Sequence, residues 1–196
     1  MKTRFAIAAV AALGFATPAV AESWTLDGDK SHLAFGSVKS NSFGEVHSFG
    51  ELSGTVAADG KAEILIDLAS VETNIDIRNE RLTEHVFKGI ATANLSAAID
   101  MSEVDTLAVG ASTTTYADVT LSLLGTELSV DADLFVMRLS EKQVMVTTND
   151  MAFFSTEDAG IDAGIDTLKE LANLESITRA VPVTARFIFD LDDQGA

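Results

Sequence analysis

Three histidines, His32, His47 and His85, are the side chains in this sequence best suited to bind a metal ion or haem iron. They lie far apart, and no two have the i, i+2 or i, i+4 spacing that places two ligands on one face of a strand or helix. Only the fold could therefore bring two of them together. The alternative for each is ordinary hydrogen bonding at a strand end or on a helix surface. The absence of cysteine excludes thiolate nucleophiles, thiolate metal sites and disulfides.

Carboxylates are abundant, but few of them form a recognisable site. Residues 27–38 begin like a calcium loop, yet they lack the glycine at the sixth position and the glutamate at the twelfth. Asp158, Asp162 and Asp166 are spaced either for a cation site or, more simply, for an acidic helix start. No nucleophile elbow, P-loop, zinc-protease motif or dinucleotide-binding motif is present. The sequence therefore predicts a binding protein and not an enzyme.

The charge balance argues against two classes of partner. The chain of 196 residues has 30 acidic and 13 basic residues, a formal net charge of −17. Nucleic acids bind basic surfaces, and anionic membranes attract basic segments, so we expect neither partner. Apolar residues make up 47% of the chain, which is too many for a disordered acidic protein and predicts a packed core. At this length one domain is expected.

The N-terminus has the pattern of a secretory signal peptide. Lys2 and Arg4 precede an apolar run over residues 5–15, and residues 19–21 read Ala-Val-Ala, the small-residue pattern of a cleavage site. The run is too short to span a membrane. We expect residues 1–21 to be removed and residues 22–196 to form the exported, periplasmic domain. The loss of Lys2 and Arg4 deepens its formal charge to −19.

Most of the remaining chain has the period-two pattern of half-buried strands. The predicted strands cover residues 23–26, 32–38, 44–58, 62–68, 92–99, 117–123, 130–136, 144–146 and 181–191. Asp59-Gly60 predicts a tight hairpin turn. Residues 75–87 and 158–174 have helical spacing and interrupt the pattern. Many short antiparallel strands favour a barrel of about eight strands with two helical insertions, either filled by its own side chains or holding one small ligand.

Large apolar side chains occur in most of the predicted strands, and core packing is the default role for each. Residues 129–139 differ because both faces carry such groups, namely Val130, Leu134 and Val136 on one face and Phe135, Met137 and Leu139 on the other. A single-layered barrel needs a reason for the second apolar face. The predicted helix at 158–174, a dimer interface or a ligand would each supply one.

Three segments resemble those of the YceI-like proteins. Residues 29–35 (DKSHLAF) resemble the opening strand of that family, and residues 49–56 (FGELSGTV) resemble a later glycine-containing stretch. Residues 69–82 (ASVETNIDIRNERL) are similar to the family's S-V-x-T…R-D-x-H-L segment, although Asn79 and Arg81 replace its usual Asp and His. The resemblance covers about residues 23–191.

This resemblance implies more than the spacing alone. The family folds as an extended, lipocalin-like antiparallel barrel, and its members bind polyisoprenoid chains such as isoprenoid quinones or prenyl phosphates, or similar amphiphiles, in an apolar tunnel. It implies no catalytic residues. It also allows a homodimer, and a membrane b-type cytochrome as a partner.

We therefore predict a periplasmic carrier of a long-chain amphiphilic lipid. The predicted tunnel lining consists of large side chains, namely Phe35, Phe43, Phe87, Phe135, Met137 and Phe187. Arg78 and Arg81 are predicted at the mouth, where guanidinium groups would meet a quinone carbonyl or a phosphate. The alternative for both arginines is a surface salt bridge with Asp76, Glu80 or Glu84.

Two other functions stay open at this stage. One is a redox or haem-linked partner of a membrane b-type cytochrome, which would use His32, His47 or His85. The other is a stress-related structural protein with a filled barrel. We expect no metal and no cofactor other than a bound isoprenoid lipid or quinone.

Overall fold

The computed structural model describes residues 22–192, and the predicted signal peptide lies outside them. In chain order the strands are β1 (Trp24–Leu26), β2 (His32–Lys39), β3 (Phe43–Phe49), β4 (Leu52–Val56), β5 (Lys61–Asp67), β6 (Val71–Glu72), β7 (Thr92–Ala98), β8 (Ser112–Leu123), β9 (Thr126–Ser140), β10 (Gln143–Thr148), β11 (Ala152–Ser155) and β12 (Ala180–Leu191). The α-helices are α1 (Asp76–Arg81), α2 (Met101–Asp105) and α3 (Asp162–Leu171).

Eight of the strands close into an antiparallel barrel. Pairing runs in the order β1, β4, β5, β7, β8, β9, β10 and β12, and the last strand pairs with the first. Trp24 lies opposite Leu191 at this closure, and Leu26 lies opposite Phe189. An eight-stranded barrel has an interior just wide enough for side chains or one small ligand. The prediction of an eight-stranded antiparallel barrel is confirmed.

The hairpin of β2 and β3 extends the barrel at one end. Strand β12 pairs with β1 near its C-terminal end and with β2 through residues 183–186. On its other side, β12 pairs with β10 and, near its start, with β11, which the sequence did not predict. The predicted strand 44–58 is interrupted at Gly50 and Glu51, so that β3 pairs with β2 while β4 pairs with β1 and β5.

Strand β9 shows which face of the barrel wall is internal. Val136 is 2% exposed and Ala132 is also buried, and both face the interior. Phe135 and Met137 alternate with them, so they lie half-buried on the outer face. Phe135 pairs there with Thr147, and Met137 with Met145. The prediction that Phe135 and Met137 line the interior is therefore wrong.

Two of the three helices meet above the barrel interior. The predicted helical segment 75–87 is α1 followed by a π-helical turn (Leu82–Val86), and the segment 158–174 contains α3. Helix α3 packs on the π-helical turn at Gly164, where an added Cβ would lie 2.6 Å from the His85 carbonyl oxygen. The short helix α2 was not predicted. Within residues 22–192, no helix has the length and apolar character needed to cross a membrane.

The acidic start of α3 is neutralised from within the chain. The Arg179 guanidinium lies 2.6 Å from an Asp166 carboxylate oxygen and 3.4 Å from one of Asp162. The hydrogen bond from Arg179 is the main cause that lowers the pKa of Asp166. Of the two predicted roles, the structure favours the acidic helix start, in which Asp162 and Asp166 both contact Arg179.

Candidate ligand-binding cavity

The barrel encloses a cavity of about 500 Å³, within the range of small-molecule binding sites. Along β12, Val181, Val183, Ala185 and Phe187 all line it. Because a strand rises about 3.3 Å per residue, the cavity extends for roughly 20 Å along this strand. Most of the other lining side chains are also apolar, among them Leu33, Ile66, Leu68, Ala93, Leu121, Ala132, Ile161, Ile165 and Leu168.

A row of aromatic rings forms one wall of the cavity. The Phe35 ring centroid lies 5.4 Å from that of Phe49 and 5.2 Å from that of His47, and Phe49 lies 6.1 Å from Phe87. These separations lie within the range of favourable ring contacts. The row joins β2 and β3 to the segment just after the π-helical turn. It provides a flat apolar surface against which an unsaturated chain or a ring can pack.

The mouth of the cavity is bordered by exposed apolar side chains. Ile75, Ile77 and Phe153 line the cavity and are also 43%, 50% and 58% exposed, so the cavity reaches the surface beside them. Helix α1 therefore borders the opening. The two arginines of α1, Arg78 and Arg81, also line the cavity.

An ion cluster spans this mouth. A Glu45 carboxylate oxygen lies 2.7 Å from the Lys39 ammonium nitrogen, and its other oxygen lies 3.1 Å from an Arg78 guanidinium nitrogen. Burial alone would raise the pKa of Glu45, but the hydrogen bond from Lys39 and the charge of Arg78 outweigh it and lower that pKa. Glu45 is therefore ionised at neutral pH and joins the β2–β3 hairpin to α1.

Arg81 is held less tightly than Arg78. Its guanidinium Nη1 lies 3.5 Å from the Leu171 carbonyl oxygen, at the C-terminal end of α3, where a cation is favoured. Within residues 22–192, the charged side chains lining the cavity are Lys39, Glu45, Arg78 and Arg81. The mouth therefore carries an excess of positive charge in a chain that is otherwise strongly acidic.

His47 is a polar group deep in an apolar environment. Its side chain is 5% exposed, and its Nε2 lies 3.2 Å from the Ser37 hydroxyl, whereas Nδ1 is buried and has no hydrogen-bond partner in the part of the chain that the structure describes. Burial, together with the positive charge of Arg78, lowers the pKa of His47. The imidazole is therefore neutral at neutral pH. Among the described residues, no three His, Asp or Glu side chains are grouped to hold a metal ion.

The structure brings five of the eight predicted site residues to the cavity. Three are aromatic and two are arginines, and they are Phe35, Phe87, Phe187, Arg78 and Arg81. Their role in ligand binding stays a prediction. Phe135 and Met137 lie on the outer face, as described above.

Phe43 also lies outside the cavity, which corrects its predicted place in the lining. It shares the cavity-side face of β3 with Glu45, but it pairs with Lys39 at the tip of the hairpin and is 62% exposed. The hairpin turn at Ser40 and Asn41, both with positive φ, immediately precedes Phe43, and β3 contributes to the cavity lining only from Glu45 onward.

Several lining residues were missed in the sequence, although a signal for them existed. The period of two that places Phe35 inside also places Ser37 and Lys39 on the same face, and in β3 it places Glu45 beside His47. What the sequence lacked was a reason to expect charged side chains on an internal face. That reason is the open end of the barrel, where water solvates the charges.

Comparison with protein-family models matches residues 24–189 to the YceI-like domain. Among solved structures, the chain is similar to a polyisoprenoid-binding domain from Saccharophagus degradans implicated in plant cell wall breakdown. The two share 34% sequence identity with a TM-score of 0.84, and the match covers 86% of this chain and 98% of that chain. It is also similar to BcnA of Burkholderia cenocepacia, with 17% identity and a TM-score of 0.61 over 83% and 98% of the two chains, which supports the fold alone. No curated protein sequence matches significantly. The chain belongs to the YceI-like family.

Proposed function

We propose that this protein binds a long-chain isoprenoid lipid, an isoprenoid quinone or a prenyl phosphate, inside the barrel. The observation that carries the proposal is the cavity itself, which is elongated, apolar along its length and charged only at its mouth. An amphiphile with one polar end and a long apolar tail has the same distribution of polarity. Binding, and not catalysis, is the activity that we propose.

The comparison with the Saccharophagus degradans domain supports this choice of ligand. That protein is described as polyisoprenoid-binding, and its identity of 34% to this chain extends over nearly its whole length. The lining of the present cavity is compatible with such a chain, because Phe35, Phe49 and Phe87 offer a continuous aromatic wall.

Burial of the apolar tail is the main favourable contribution to the free energy of binding. Each buried CH₂ contributes about 0.8 kcal/mol, so several isoprene units contribute well over 10 kcal/mol in gross terms. The opposing cost of lost translational and rotational freedom is about 4–15 kcal/mol. The hydrogen-bonded strands of the closed barrel hold the lining side chains in place, which lowers the further cost of ordering the protein.

The polar end of the ligand would lie at the mouth, beside Arg78 and Arg81. Arg78 is engaged by Glu45, whereas within residues 22–192 Arg81 makes only a long contact to a backbone carbonyl. Guanidinium groups bind phosphate oxygens in a bidentate manner and also donate hydrogen bonds to carbonyl groups. Either head group is thus compatible with the mouth.

We place this activity in the periplasm, on the strength of the predicted signal peptide at residues 1–21. The formal charge of −19 that remains after its removal disfavours retention on anionic membranes, which suits a carrier that diffuses between partners. Delivery to a membrane b-type cytochrome and formation of a homodimer stay predictions.

The test is to identify what the purified protein retains. The exported protein is exposed to a bacterial membrane lipid extract, repurified by gel filtration without detergent, and extracted with organic solvent for mass spectrometry. We expect an isoprenoid lipid at close to one molecule per chain. An extract that contains no amphiphile in stoichiometric amount would contradict the proposal.

A further inference from the structure

A second cavity of about 130 Å³ lies at the other end of the barrel from the mouth. The order of lining residues along β12 shows this arrangement: Val183 and Ala185 line the main cavity, Phe187 lines both cavities, and Phe189 lines the second. On β9, Ala132 lines the main cavity and Val136 the second. The second cavity, which we call the inner chamber, therefore continues the line of the tunnel.

A constriction separates the two spaces. The residues that line both cavities are Leu95 of β7, Val119 of β8, Leu134 of β9 and Phe187 of β12. Each comes from a different strand, and each points inward at the level where the main cavity ends. The Phe187 ring is the largest of these side chains and packs against Phe189 with 6.4 Å between the ring centroids.

The far end of the inner chamber is lined by buried side chains. Trp24 and Val104 line it and are 2% and 6% exposed, at the end of the barrel that carries β1 and α2. The Arg138 guanidinium lies 5.0 Å from the centroid of the Trp24 ring and donates hydrogen bonds to the Ser140 and Glu141 carbonyls. This arrangement anchors the tryptophan in place.

We propose that the inner chamber receives the last isoprene unit of the bound tail, and that the constriction and the small volume of the chamber together select tail length. This inference rests on the proposed function. The volume of the inner chamber is close to the roughly 150 Å³ of an apolar protein cavity that holds a benzene molecule, so the chamber accepts a group of about five or six carbons. Its lining is apolar apart from Ser96 and Thr115, which excludes a charged group. A tail that is too long to end there leaves its head group beyond Arg78 and Arg81.

Two neighbouring alanines on β7 allow a matched test. Ala97 lines the inner chamber, whereas Ala98 is exposed on the opposite face. Ala97→Leu therefore fills the chamber, and Ala98→Leu adds the same atoms outside it. A second filling variant is Ala62→Leu, because Ala62 pairs with Ala97 across β5 and β7 and lines the same chamber. Phe187→Ala widens the constriction.

The probe is an equimolar mixture of all-trans prenyl monophosphates of increasing length. The mixture is incubated with residues 22–196 of wild type or of each variant, and the retained prenyl phosphates are quantified by mass spectrometry after gel filtration. In Ala97→Leu and Ala62→Leu we expect retention of the longest prenyl phosphate held by wild type to fall about tenfold relative to shorter ones. Phe187→Ala should shift the preferred length upward by about one unit. Ala98→Leu should match wild type.

The outcomes separate this inference from the proposed function. If wild type retains prenyl phosphates and both folded filling variants show the wild-type length profile, the inner chamber takes no part and the inference is overturned. If wild type retains no isoprenoid probe and no isoprenoid lipid from the membrane extract, the proposed function fails. A cooperative thermal transition in each variant establishes that it is folded. The two filling variants and Phe187→Ala report independently on the preferred tail length.

Discussion

Glu45 of β3 and Arg78 of α1 form an ion pair across the mouth of the cavity, with 3.1 Å between a carboxylate oxygen and a guanidinium nitrogen. Lys39, at the end of β2, holds the other carboxylate oxygen at 2.7 Å. These contacts join the hairpin to the helix that borders the opening. One partly buried carboxylate thus helps to position α1, the helix that also carries Arg81.

The two partners of this pair should have opposite effects on an anionic ligand. Arg78→Gln removes a cation from the mouth, so prenyl phosphate binding should weaken by about tenfold, the value of one charge-assisted hydrogen bond. Glu45→Gln removes the competing anion and frees Arg78, so binding should strengthen. Displacement titrations of a fluorescent lipid at low and high salt measure both effects.

A neutral prenol of the same length is the control ligand for these two variants. Both variants lose the same ion pair. If this loss only loosened the mouth, the binding of the prenyl phosphate and of the prenol would change in the same direction in both variants. Equal effects of Arg78→Gln and Glu45→Gln on the prenyl phosphate would argue against a head-group role for Arg78.

The buried imidazole of His47 predicts a pH-dependent stability. Its pKa is lowered in the folded state, so below the usual value of 6.5 the unfolded chain binds a proton that the folded chain does not. The stability linked to the lowered pKa of His47 is fully present above pH 6.5. It is lost as the pH falls from 6.5 through the pKa that His47 has in the folded state. Urea denaturation between about pH 7.5 and pH 5 should show a smaller decrease for His47→Gln than for wild type.

His32→Gln is the control variant, because it removes an exposed histidine from the same hairpin. Carboxylates change their ionisation mainly below this pH window, so the difference between the curves isolates the imidazole. Parallel curves for wild type and His47→Gln would contradict a buried neutral histidine.

Gly164 should be needed for the contact between α3 and the π-helical turn. An added Cβ would lie 2.6 Å from the His85 carbonyl oxygen and 2.7 Å from the Val86 Cα, and neither backbone atom can move away cheaply. Gly164→Ala should therefore lower the free energy of unfolding by about 1–3 kcal/mol. At Gly44 an added Cβ meets no atom of the described residues within 4 Å, so Gly44→Ala is the matched control. Equal stabilities of the two variants would show that α3 is not tightly packed there.

The fold could be predicted because its signal is local and repeated. Alternating apolar residues marked most of the strands of the closed ring, and Asp59-Gly60 marked a turn in which Gly60 has a φ of +81°. The short elements were missed for the complementary reason: β6, β11 and α2 contain too few residues for a period to be established. The strands β6 and β11 form by pairing with the longer strands β3 and β12.

The cavity lining was predicted less completely, since an apolar side chain shows that a position is favourable for burial but not on which side of the wall it lies. For β9 the sequence held the missing information. Asp131 and Asp133 share a face with Phe135 and Met137, and carboxylates without partners are excluded from an apolar interior. The opposite face, with Leu134, was therefore the internal one. The inner chamber depends on tertiary packing and could not be read from any local pattern.

The same strand offers the most direct test of the central claim, that the barrel interior binds an isoprenoid lipid. Leu134 lines the cavity, whereas its neighbour Phe135 is half-buried on the outer face, so Leu134→Asp and Phe135→Asp place one carboxylate on either side of the same wall. The measurement is the amount of isoprenoid lipid retained per folded chain after exposure to a membrane lipid extract. We predict close to one molecule for wild type and for Phe135→Asp, and a loss of at least about tenfold for Leu134→Asp, because burial of a charge beside the tail is costly. Retention by folded Leu134→Asp at the wild-type level, or its loss only in Phe135→Asp, would contradict binding inside the barrel.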